Sequence, residues 1–308
     1  MHTTDSDPRP RVVAPTAYAP YPVSPTPDTW RLRRSVVPTA TGPVVVHHRP
    51  GPEPLLLLHG VAGSWSTWTP LLTAAHGVGD RGLVLVDLPG WGSSPAPDGP
   101  FDLDDVARVL TTVLDALAVP TVDVVGHSMG AFVGMHLAVA APDRVRSVAL
   151  VSGTTVATAA AARRPLRGLR TLPAFTLLRA GLAVTGEAGR PILRGCARVG
   201  LLPLLAAPVF TAVRRLDPSV LDAFVEELRP TRFVDAARAA ARYDLERWRA
   251  VAVPVTAIAG RDDVFARRSD LDALRAIVQQ TRTVLLDACG HFAHVEQPDA
   301  VARALGLA

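Results

Sequence analysis

The sequence predicts an α/β fold, with a mostly parallel central sheet, helices on both faces and a helical insertion at residues 155–245. First, short apolar runs separated by helical stretches recur along the chain, as strands and helices do in alternation. Second, the four leucines at residues 55–58 show no polar alternation, which is typical of a central strand covered on both faces. Third, residues 155–245 are rich in Ala, Leu and Arg without strand-like alternation, which favours short helices.

The composition fits a protein with a sizeable buried core. The chain has 308 residues, which is enough for one large domain or two small ones. Of these residues 48% are apolar and 19% are charged, which allows a large apolar core. The formal net charge is +4, and all 32 basic residues are arginines. These arginines are scattered among few aromatic residues, whereas a nucleic-acid surface would show a clustered basic face with stacking aromatics. We therefore interpret them as compositional bias and expect no nucleic-acid partner.

Cysteine usage and hydropathy bear on the location of the protein. Two cysteines, Cys196 and Cys289, do not make a disulfide framework and suit a reducing compartment, although a single bridge is left open. The first residues have no apolar stretch behind a basic start, so we expect no secretory signal. The longest uncharged apolar run, residues 199–213, is broken by glycine and proline and is shorter than the ~18–20 residues that span a bilayer. We expect a cytoplasmic protein with no transmembrane segment.

The first strands of the predicted sheet lie in the N-terminal third of the chain. Residues 1–29 carry seven prolines and little that could form a core, so we expect an extended, disordered segment there. Residues 30–48 indicate two strands around a turn at 39–43. The leucine run is the next strand, and residues 83–87 form the one after it.

Strands and helices continue to alternate up to the insertion. Residues 102–117 read as an amphipathic helix with acidic residues in its first turn. The β-branched run at 122–125 predicts a buried strand, residues 131–140 a helix and residues 148–151 another strand. Residues 30–154 therefore form the first part of the predicted core.

The insertion and the C-terminal part complete the predicted order of elements. After the insertion, residues 254–260 form a strand, residues 268–278 a helix and residues 283–286 the last strand. Residues 246–308 are thus the second part of the core. Within the insertion the pattern predicts short helices at roughly 166–184, 190–206, 207–215, 217–228 and 232–248.

A Gly-x-Ser-x-Gly pentapeptide, residues 126–130, lies between a predicted strand and a predicted helix. A sharp strand-to-helix turn strains the residue at the turn, and glycines two positions before and after it let the backbones approach without a Cβ clash. Ser128 would be exposed at a helix N-terminus, where free N–H groups favour developing negative charge. Ser128 is therefore the candidate nucleophile.

This strand–turn–helix unit resembles the nucleophile elbow of the α/β-hydrolases, and other motifs extend the resemblance from about residue 30 to the C-terminus. His59-Gly60 follows the leucine strand, and residues 87–94 read Asp-x-x-Gly-x-Gly-x-Ser. A Gly-x-x-Asp pattern follows the strand at 254–260, and Gly-His with an x-x-x-Glu-x-Pro tail follows the last strand. The resemblance implies that residues 155–245 form a helical cap over the serine, and we expect neither a cofactor nor a metal.

The resemblance also implies an oxyanion hole made of backbone N–H groups. It assigns one donor to Val61, after His59-Gly60, and the other to Met129, after the nucleophile. One such donor is typically worth a factor of about 10²–10³ in rate. We expect the side chain of His59 to be structural, and also Asp87, whose place before the nucleophile does not fit the order of the family.

The remaining two members of a catalytic triad are assigned by the same resemblance. Asp263 matches the acid, with Asp262 as a rival one residue away, and His291 matches the base, with His294 as a weaker rival. A neighbouring imidazole activates a serine hydroxyl, and the aspartate fixes the tautomer of that imidazole. The order Ser, Asp, His along the chain is the one that α/β-hydrolases use.

These residues lead to a hydrolase hypothesis with two alternatives. The first hypothesis is a serine hydrolase that cleaves a small, largely apolar carboxylic ester or thioester, so that the partner is a small-molecule acyl substrate. The second is a carbon–carbon bond hydrolase of ring-cleavage diketones, in which Arg190 or Arg194 could hold a substrate carboxylate. The third is a non-catalytic binding protein on the same fold. The sequence does not fix the oligomeric state.

Overall fold

A computed structural model describes residues 10–307 and builds them around one nine-stranded sheet. The strands lie side by side in the order β1-β9-β8-β7-β6-β4-β5-β3-β2. Their bounds are β1 Arg11–Val13, β2 Arg33–Val37, β3 Val44–Arg49, β4 Leu55–Leu58, β5 Leu83–Val86, β6 Val122–His127, β7 Val145–Val151, β8 Val255–Gly260 and β9 Thr281–Leu286.

The sheet is parallel except at one edge. The two strands predicted in residues 30–48 around a turn are β2 and β3, and β3 pairs antiparallel both with β2 and with β5. The other neighbouring pairs, from β5 across to β1, are parallel. Parallel strands need crossover connections, and helices supply them. The α-helices are α1 Thr69–Ala74, α2 Leu103–Ala116, α3 Met129–Ala140, α4 Val156–Arg163, α5 Pro165–Thr171, α6 Pro173–Thr185, α7 Gly189–Arg198, α8 Leu202–Ala206, α9 Pro218–Glu227, α10 Pro230–Arg242, α11 Arg268–Ile277, α12 Ala293–Glu296 and α13 Pro298–Leu305.

The four leucines of β4 show how the sheet is covered on both faces. Leu56 and Leu58 belong to an apolar cluster with side chains of α2, α3 and α11. Leu55 and Leu57 belong to a second cluster with side chains of α1 and α13. Successive side chains of a strand point to opposite faces, so a strand buried on both sides has no polar alternation. The predicted fold class, a mostly parallel sheet between two layers of helices, is confirmed.

The helices α4 to α10 form one insertion between β7 and β8. Most of their buried apolar side chains belong to a third cluster, which also contains Phe265 and Phe292 from the loops after β8 and β9. Ala62, in the loop after β4, forms an isolated antiparallel bridge with Leu228 of the insertion. The insertion therefore lies over the carboxyl ends of the parallel strands. We propose that residues 155–245 form a cap on a core that consists of residues 30–154 and 246–308.

Within this cap the predicted helix boundaries are partly wrong. The single helix expected at 166–184 is divided into α5 and α6, because Pro173 begins a new helix and holds Leu172 outside the helical region at φ −144° and ψ 63°. The helix expected at 207–215 is limited to a 3₁₀ turn at Val213–Arg215. Apolar periodicity alone did not show where the chain stops being helical.

The N-terminal segment is ordered where the structure describes it. The prediction of a disordered stretch over residues 1–29 is wrong from residue 10 onwards, and residues 1–9 lie outside the described residues. Strand β1 adds a parallel neighbour to β9, and Ala19 and Val23 are buried against the cap. Proline-rich composition did not reveal these contacts, because their partners lie far away in the sequence. Within residues 10–307, no helix is both long enough and apolar enough to span a bilayer.

Candidate active site

The Gly-x-Ser-x-Gly pentapeptide forms a tight turn between β6 and α3. Ser128 has φ 51° and ψ −115°, a strained conformation for a residue with a side chain. A Cβ atom at Gly130 would lie 2.0 Å from the carbonyl oxygen of Leu58, and one at Gly126 would lie 2.4 Å from the carbonyl oxygen of Gly130. The two glycines therefore permit the close approach of α3 to the sheet, and Ser128 stands immediately before the first turn of the helix.

The structure brings Ser128, Asp263 and His291 together from three separate loops. The Nε2 atom of His291 lies 2.9 Å from the Oγ atom of Ser128. The Nδ1 atom of His291 lies 2.9 and 3.0 Å from the two carboxyl oxygens of Asp263. Because a carboxylate accepts, Nδ1–H donates to Asp263 and the bare Nε2 accepts the serine hydroxyl. All three side chains are buried.

The adjacent carboxylates of Asp262 and Asp263 have different surroundings. Asp263 is buried, and its Oδ1 atom accepts hydrogen bonds from the N–H groups of Phe265 and Ala266 at 2.7 and 2.9 Å. The side chain of Asp262 is exposed. The arrangement thus favours Asp263 as the partner of the imidazole.

The loop that carries His291 is held by a buried carboxylate, Glu296 at the end of α12. This side chain accepts hydrogen bonds from the N–H groups of Gly290 and Phe292, both at 3.1 Å. It also accepts from the N–H of Thr211 in the cap, at 2.9 Å, and from the hydroxyl of Tyr18, at 3.0 Å. Burial raises the pKa of Glu296, and the four donors offset part of that effect.

The rival base, His294, lies in a different environment. Its ring packs between Trp68 and His127, with ring centroids 4.6 and 4.3 Å away. Neither of its nitrogens has a hydrogen-bond partner among the described residues. Burial lowers its pKa to about 3, so the ring is neutral at neutral pH. His294 therefore has the features of a packing residue.

The loop after β4 presents Val61 beside Ser128. His59 is fully buried; its Nδ1–H donates to the carbonyl of Gly60 at 2.8 Å, and its Nε2 accepts the N–H of Leu88 at 3.0 Å. The indole N–H of Trp91 donates to the carbonyl of Val61 at 3.0 Å. These bonds give the side chain of His59 a structural role, as expected, and fix the backbone on either side of Val61.

Met129 faces the same space from the first position of α3. Its N–H has no acceptor within the helix, because the first four N–H groups of any helix lack one. Val61 and Met129 both line a cavity together with Ser128 and His291. Asp87 has a different role, since its buried carboxylate accepts the N–H groups of Trp65 and Ser93, both at 2.9 Å.

The cavity above Ser128 has a volume of about 240 Å³ and an apolar wall. Its polar lining side chains are His127, Ser128, Thr154, Thr158 and His291, and within residues 10–307 no arginine or carboxylate lines it. Seven of the eight phenylalanines of the chain line this one space. They are Phe101, Phe132, Phe175, Phe224, Phe233, Phe265 and Phe292.

Comparison with known proteins decides the family. A model of the alpha/beta hydrolase family matches residues 55–304, which is most of the chain. This chain belongs to the alpha/beta hydrolase family. The resemblance inferred from the sequence motifs is thereby confirmed.

Individual relatives of this alpha/beta hydrolase carry different activities in their names. A putative carbamate hydrolase RutD of Azorhizobium caulinodans is 41% identical over 103 residues, which cover 32% of this chain and 37% of the relative. The chain spans between 27% and 44% of the first three curated relatives. A 2-hydroxy-6-oxononadienedioate/2-hydroxy-6-oxononatrienedioate hydrolase of Cupriavidus pinatubonensis is 28% identical over 271 residues, covering 82% of this chain and 85% of the relative.

Solved structures support the fold of this alpha/beta hydrolase. A thermophilic esterase from Thermogutta terrifontis superposes with a TM-score of 0.65 over 89% of this chain and 97% of the esterase, at 19% identity. At that identity the likeness concerns the fold alone.

The sequence did not predict that two further side chains, Tyr18 and His127, contribute to the site of this hydrolase. Tyr18 binds Glu296, although 278 positions separate them, and no local pattern marks the tyrosine. His127, the residue before Ser128, donates its Nε2–H to the carbonyl oxygen of His291 at 3.0 Å. For Glu296, the x-x-x-Glu-x-Pro tail after His291 was the available signal.

Proposed function

We propose that this protein is a serine hydrolase that cleaves a small, largely apolar carboxylic ester or thioester through an acyl-enzyme. The proposal rests above all on the hydrogen bond of 2.9 Å between Ser128 and His291 at the floor of an apolar cavity. In this proposal Ser128 is the nucleophile, His291 the general base and Asp263 the residue that orients the imidazole. A cytoplasmic location stays a prediction, supported by the free thiols Cys196 and Cys289.

Each chemical step has a group to perform it. His291 takes the hydroxyl proton as the oxygen of Ser128 attacks the acyl carbon, and Asp263 stabilises the imidazolium that forms. The N–H groups of Val61 and Met129 would stabilise the oxyanion of the tetrahedral intermediate. The imidazolium then protonates the leaving alcohol or thiol. Water, deprotonated by the same imidazole, releases the acid and restores the free serine.

The lining of the cavity supports an uncharged substrate. A carboxylate that entered a space lined mainly by phenylalanine and aliphatic side chains would lose its hydration without gaining a cationic partner. An alkyl or aryl group loses nothing comparable and gains about 25 cal/mol for each Å² of apolar surface removed from water. The site is therefore best matched to neutral acyl groups.

A second candidate, carbon–carbon bond hydrolysis, is favoured by the relative from Cupriavidus pinatubonensis, which aligns along most of both chains. The surroundings of the cap arginines weaken it. The guanidinium of Arg194 donates to Glu226, and Arg190 lies 3.5 Å from the same carboxylate. Neither arginine lines the cavity. A dienoate absorbance assay with a ring-cleavage diketone tests this candidate, which would replace the ester hypothesis if turnover of the diketone were the faster.

Ester hydrolysis is tested with p-nitrophenyl acetate and butyrate and with a fluorophosphonate probe. The wild type should hydrolyse both esters and be labelled, whereas Ser128→Ala should lose both properties. Ser269→Ala, which changes an exposed serine in α11, is the matched control and should behave like the wild type. Equal rates for Ser128→Ala and wild type would refute the proposal, and failure of the probe to label Ser128 would favour a non-catalytic binding protein.

A further inference from the structure

The cap exposes an unusual amount of apolar surface. Within residues 10–307, eleven large apolar side chains are exposed, and nine of them lie between residues 166 and 205. Leu166 and Val184 are 85% and 88% exposed, although side chains of this kind are normally buried. The remaining seven of the nine are Leu169, Leu177, Ile192, Val199, Leu201, Leu204 and Leu205.

The same part of the chain is strongly basic. Residues 163–215 contain ten arginines and one acidic residue, Glu187, for a net charge of +9, so the rest of a chain of net charge +4 carries −5. Eight of these ten arginines have no carboxylate within ion-pair distance among the described residues, since only Arg190 and Arg194 pair with Glu226. Three of the eight contact backbone carbonyls or an aromatic ring, and the other five are all exposed. The five are Arg164, Arg167, Arg170, Arg198 and Arg214. We call the nine apolar residues and these five arginines the cap face.

The cap face is continuous with the cavity above Ser128. Three cap helices each place one residue outside and its neighbour in the cavity wall: Leu177 and Leu178 in α6, Ile192 and Leu193 in α7, Leu204 and Leu205 in α8. Leu205 does both, since it lines the cavity and is also 50% exposed. Part of the wall between the cavity and the solvent is therefore formed by helices that carry the cap face.

We propose that the cap face docks on the surface of an anionic phospholipid bilayer. Leucine, isoleucine and valine side chains beside arginines are the composition of interfacial surfaces, whose apolar residues enter the acyl boundary while cations contact lipid phosphates. The long arginine side chain suits this, because its stem can lie along apolar surface with its guanidinium at the headgroups. Charge complementarity favours an anionic bilayer as the binding partner. Residues 163–215 carry a net charge of +9 and the rest of the chain carries −5, so an anionic surface attracts this side of the molecule.

Two other occupants match the cap face less well. A nucleic acid would be attracted by the arginines, but it stacks on aromatic side chains, and the exposed large apolar residues of the described chain are all aliphatic. In a dimer with a two-fold interface the same surface lies on both sides, so two segments of net charge +9 would face and repel each other. Both occupants are outcomes of the test below.

Docking in this orientation has a consequence that rests on the proposed function. The cavity wall formed by α6, α7 and α8 would face the membrane, so an apolar ester dissolved in the bilayer could reach Ser128 without crossing water. Binding to vesicles is measured in the absence of an ester substrate. The result of that measurement is therefore independent of whether the protein hydrolyses esters.

Vesicle flotation with purified full-length protein tests the docking. Vesicles of equal parts phosphatidylglycerol and phosphatidylcholine should carry the protein upward, whereas vesicles of phosphatidylcholine alone should carry much less. Raising the ionic strength from about 0.1 M to about 1 M shortens the screening length from about 10 Å to about 3 Å and should weaken binding. Equal flotation with both vesicle types, or none with either, would overturn the proposal with the wild type alone.

Charge-matched variants locate the surface. Each arginine near an anionic membrane contributes a factor of about five in partitioning, so Arg164→Glu, Arg167→Glu and Arg170→Glu combined should lower the partition coefficient at least about 100-fold. The control combines Arg33→Glu, Arg34→Glu and Arg303→Glu, which change the net charge equally at exposed positions far from the cap in the sequence. If the control variant lost as much vesicle binding, the loss would depend on net charge alone, and the cap face would not be the docking surface.

Apolar variants separate a bilayer from the other occupants. Leu166→Ser with Leu204→Ser should weaken flotation while leaving the secondary structure and Tm unchanged, because both side chains are exposed. Val36→Ser, at an exposed position of β2, is the control and should have no effect. A dimer that dissociates in the leucine variant, or binding of duplex DNA as tight as binding of the anionic vesicles, would replace the membrane by those occupants.

Discussion

Asp262 and Asp263 are neighbours in the sequence, yet the second alone of the two is buried against the His291 imidazole. Adjacent side chains in an extended loop point in different directions, so a single carboxylate can face the ring. The two N–H donors from Phe265 and Ala266 then fix its orientation. This pair offers a matched test of the proposed triad.

Replacement of Asp263 by asparagine should lower kcat for p-nitrophenyl butyrate by a factor of about 10³–10⁴, because an amide does not hold the required imidazole tautomer. Asp262→Asn should leave kcat within about twofold, since the exposed group does not contact the site. Initial rates at saturating ester measure both values. A larger loss in Asp262→Asn than in Asp263→Asn would exchange the two assignments.

Motifs identified Ser128, Asp263 and His291 because each motif is local: a glycine at fixed spacing marks the turn that presents the side chain. Tyr18 could not be identified in this way. Its partner Glu296 is distant in the sequence, and a tyrosine in a proline-rich stretch carries no positional signal. Local spacing therefore identifies residues on sharp turns, whereas residues that hold those turns in place are visible only in three dimensions.

At the scale of elements, the turn between β6 and α3 depends on the absence of side chains. The backbone of α3 approaches the end of β4 so closely that a Cβ atom at Gly130 would overlap the carbonyl of Leu58. Backbone atoms in the centre of a sheet cannot move aside, unlike the end of a flexible side chain. The geometry of the candidate nucleophile is therefore tied to the packing of the whole sheet.

Gly130→Ala should lower the free energy of unfolding by about 3 kcal/mol or more, because the added methyl group overlaps backbone. Gly181→Ala is the matched control in α6, where an added Cβ meets nothing within 4 Å. It should raise stability by about 0.5–1 kcal/mol, the usual gain when alanine replaces glycine inside a helix. Urea unfolding of the two variants measures both changes, and equal effects would contradict the close approach.

The N-terminal segment is joined to the loop of His291 by the Tyr18 hydroxyl, which donates to Glu296 and accepts the N–H of Ala212 at 2.9 Å. Tyr18→Phe should destabilise the protein by about 1–3 kcal/mol, because the buried carboxylate and the N–H both lose a partner. Tyr21→Phe is the control; its hydroxyl lies 3.3 Å from Asp299 in a half-buried site. A change of equal size in both variants, measured by urea unfolding, would argue against a special role for Tyr18.

At the scale of the whole molecule, buried neutral histidines couple folding to pH. Burial lowers the pKa of His294 to about 3 and that of His59 to about 4, below their ordinary value of 6.5. Between these values and 6.5 the unfolded chain binds more protons than the folded one, so the free energy of unfolding falls as the pH falls. Buried carboxylates with raised pKa values, such as Asp270, contribute with the opposite sign.

His294→Phe isolates one of these terms. Between about pH 7.5 and pH 5, protonation of this histidine in the unfolded chain costs the wild type about 2 kcal/mol of stability, and the phenylalanine variant should be spared that loss. The ring has no hydrogen-bond partner among the described residues, so the substitution removes no bond. His76→Phe, at an exposed position, is the control. The same pH slope in His294→Phe and wild type would show that this ring binds its proton over the same pH range in the folded and the unfolded chain.

The sequence predicted the overall architecture because most core elements carry a local signal: unbroken apolar runs mark the central strands that are covered on both faces, and amphipathic periodicity marks helices such as α2. It did not predict the concentration of charge on the cap. The arginines were interpreted as scattered, yet residues 163–215 hold ten of the 32. Their meaning depends on which side chains are exposed beside them, and exposure is a property of the folded chain.

Strands β1 and β9, the first and last strands along the described part of the chain, lie side by side in the sheet, with Arg11 opposite Val284. During synthesis β1 therefore emerges long before its hydrogen-bonding partner exists, and the intervening loop must close over nearly the whole chain. We expect this edge to be among the last parts to form on the ribosome, so that until then the nascent chain presents the unpaired backbone of β1 to chaperones.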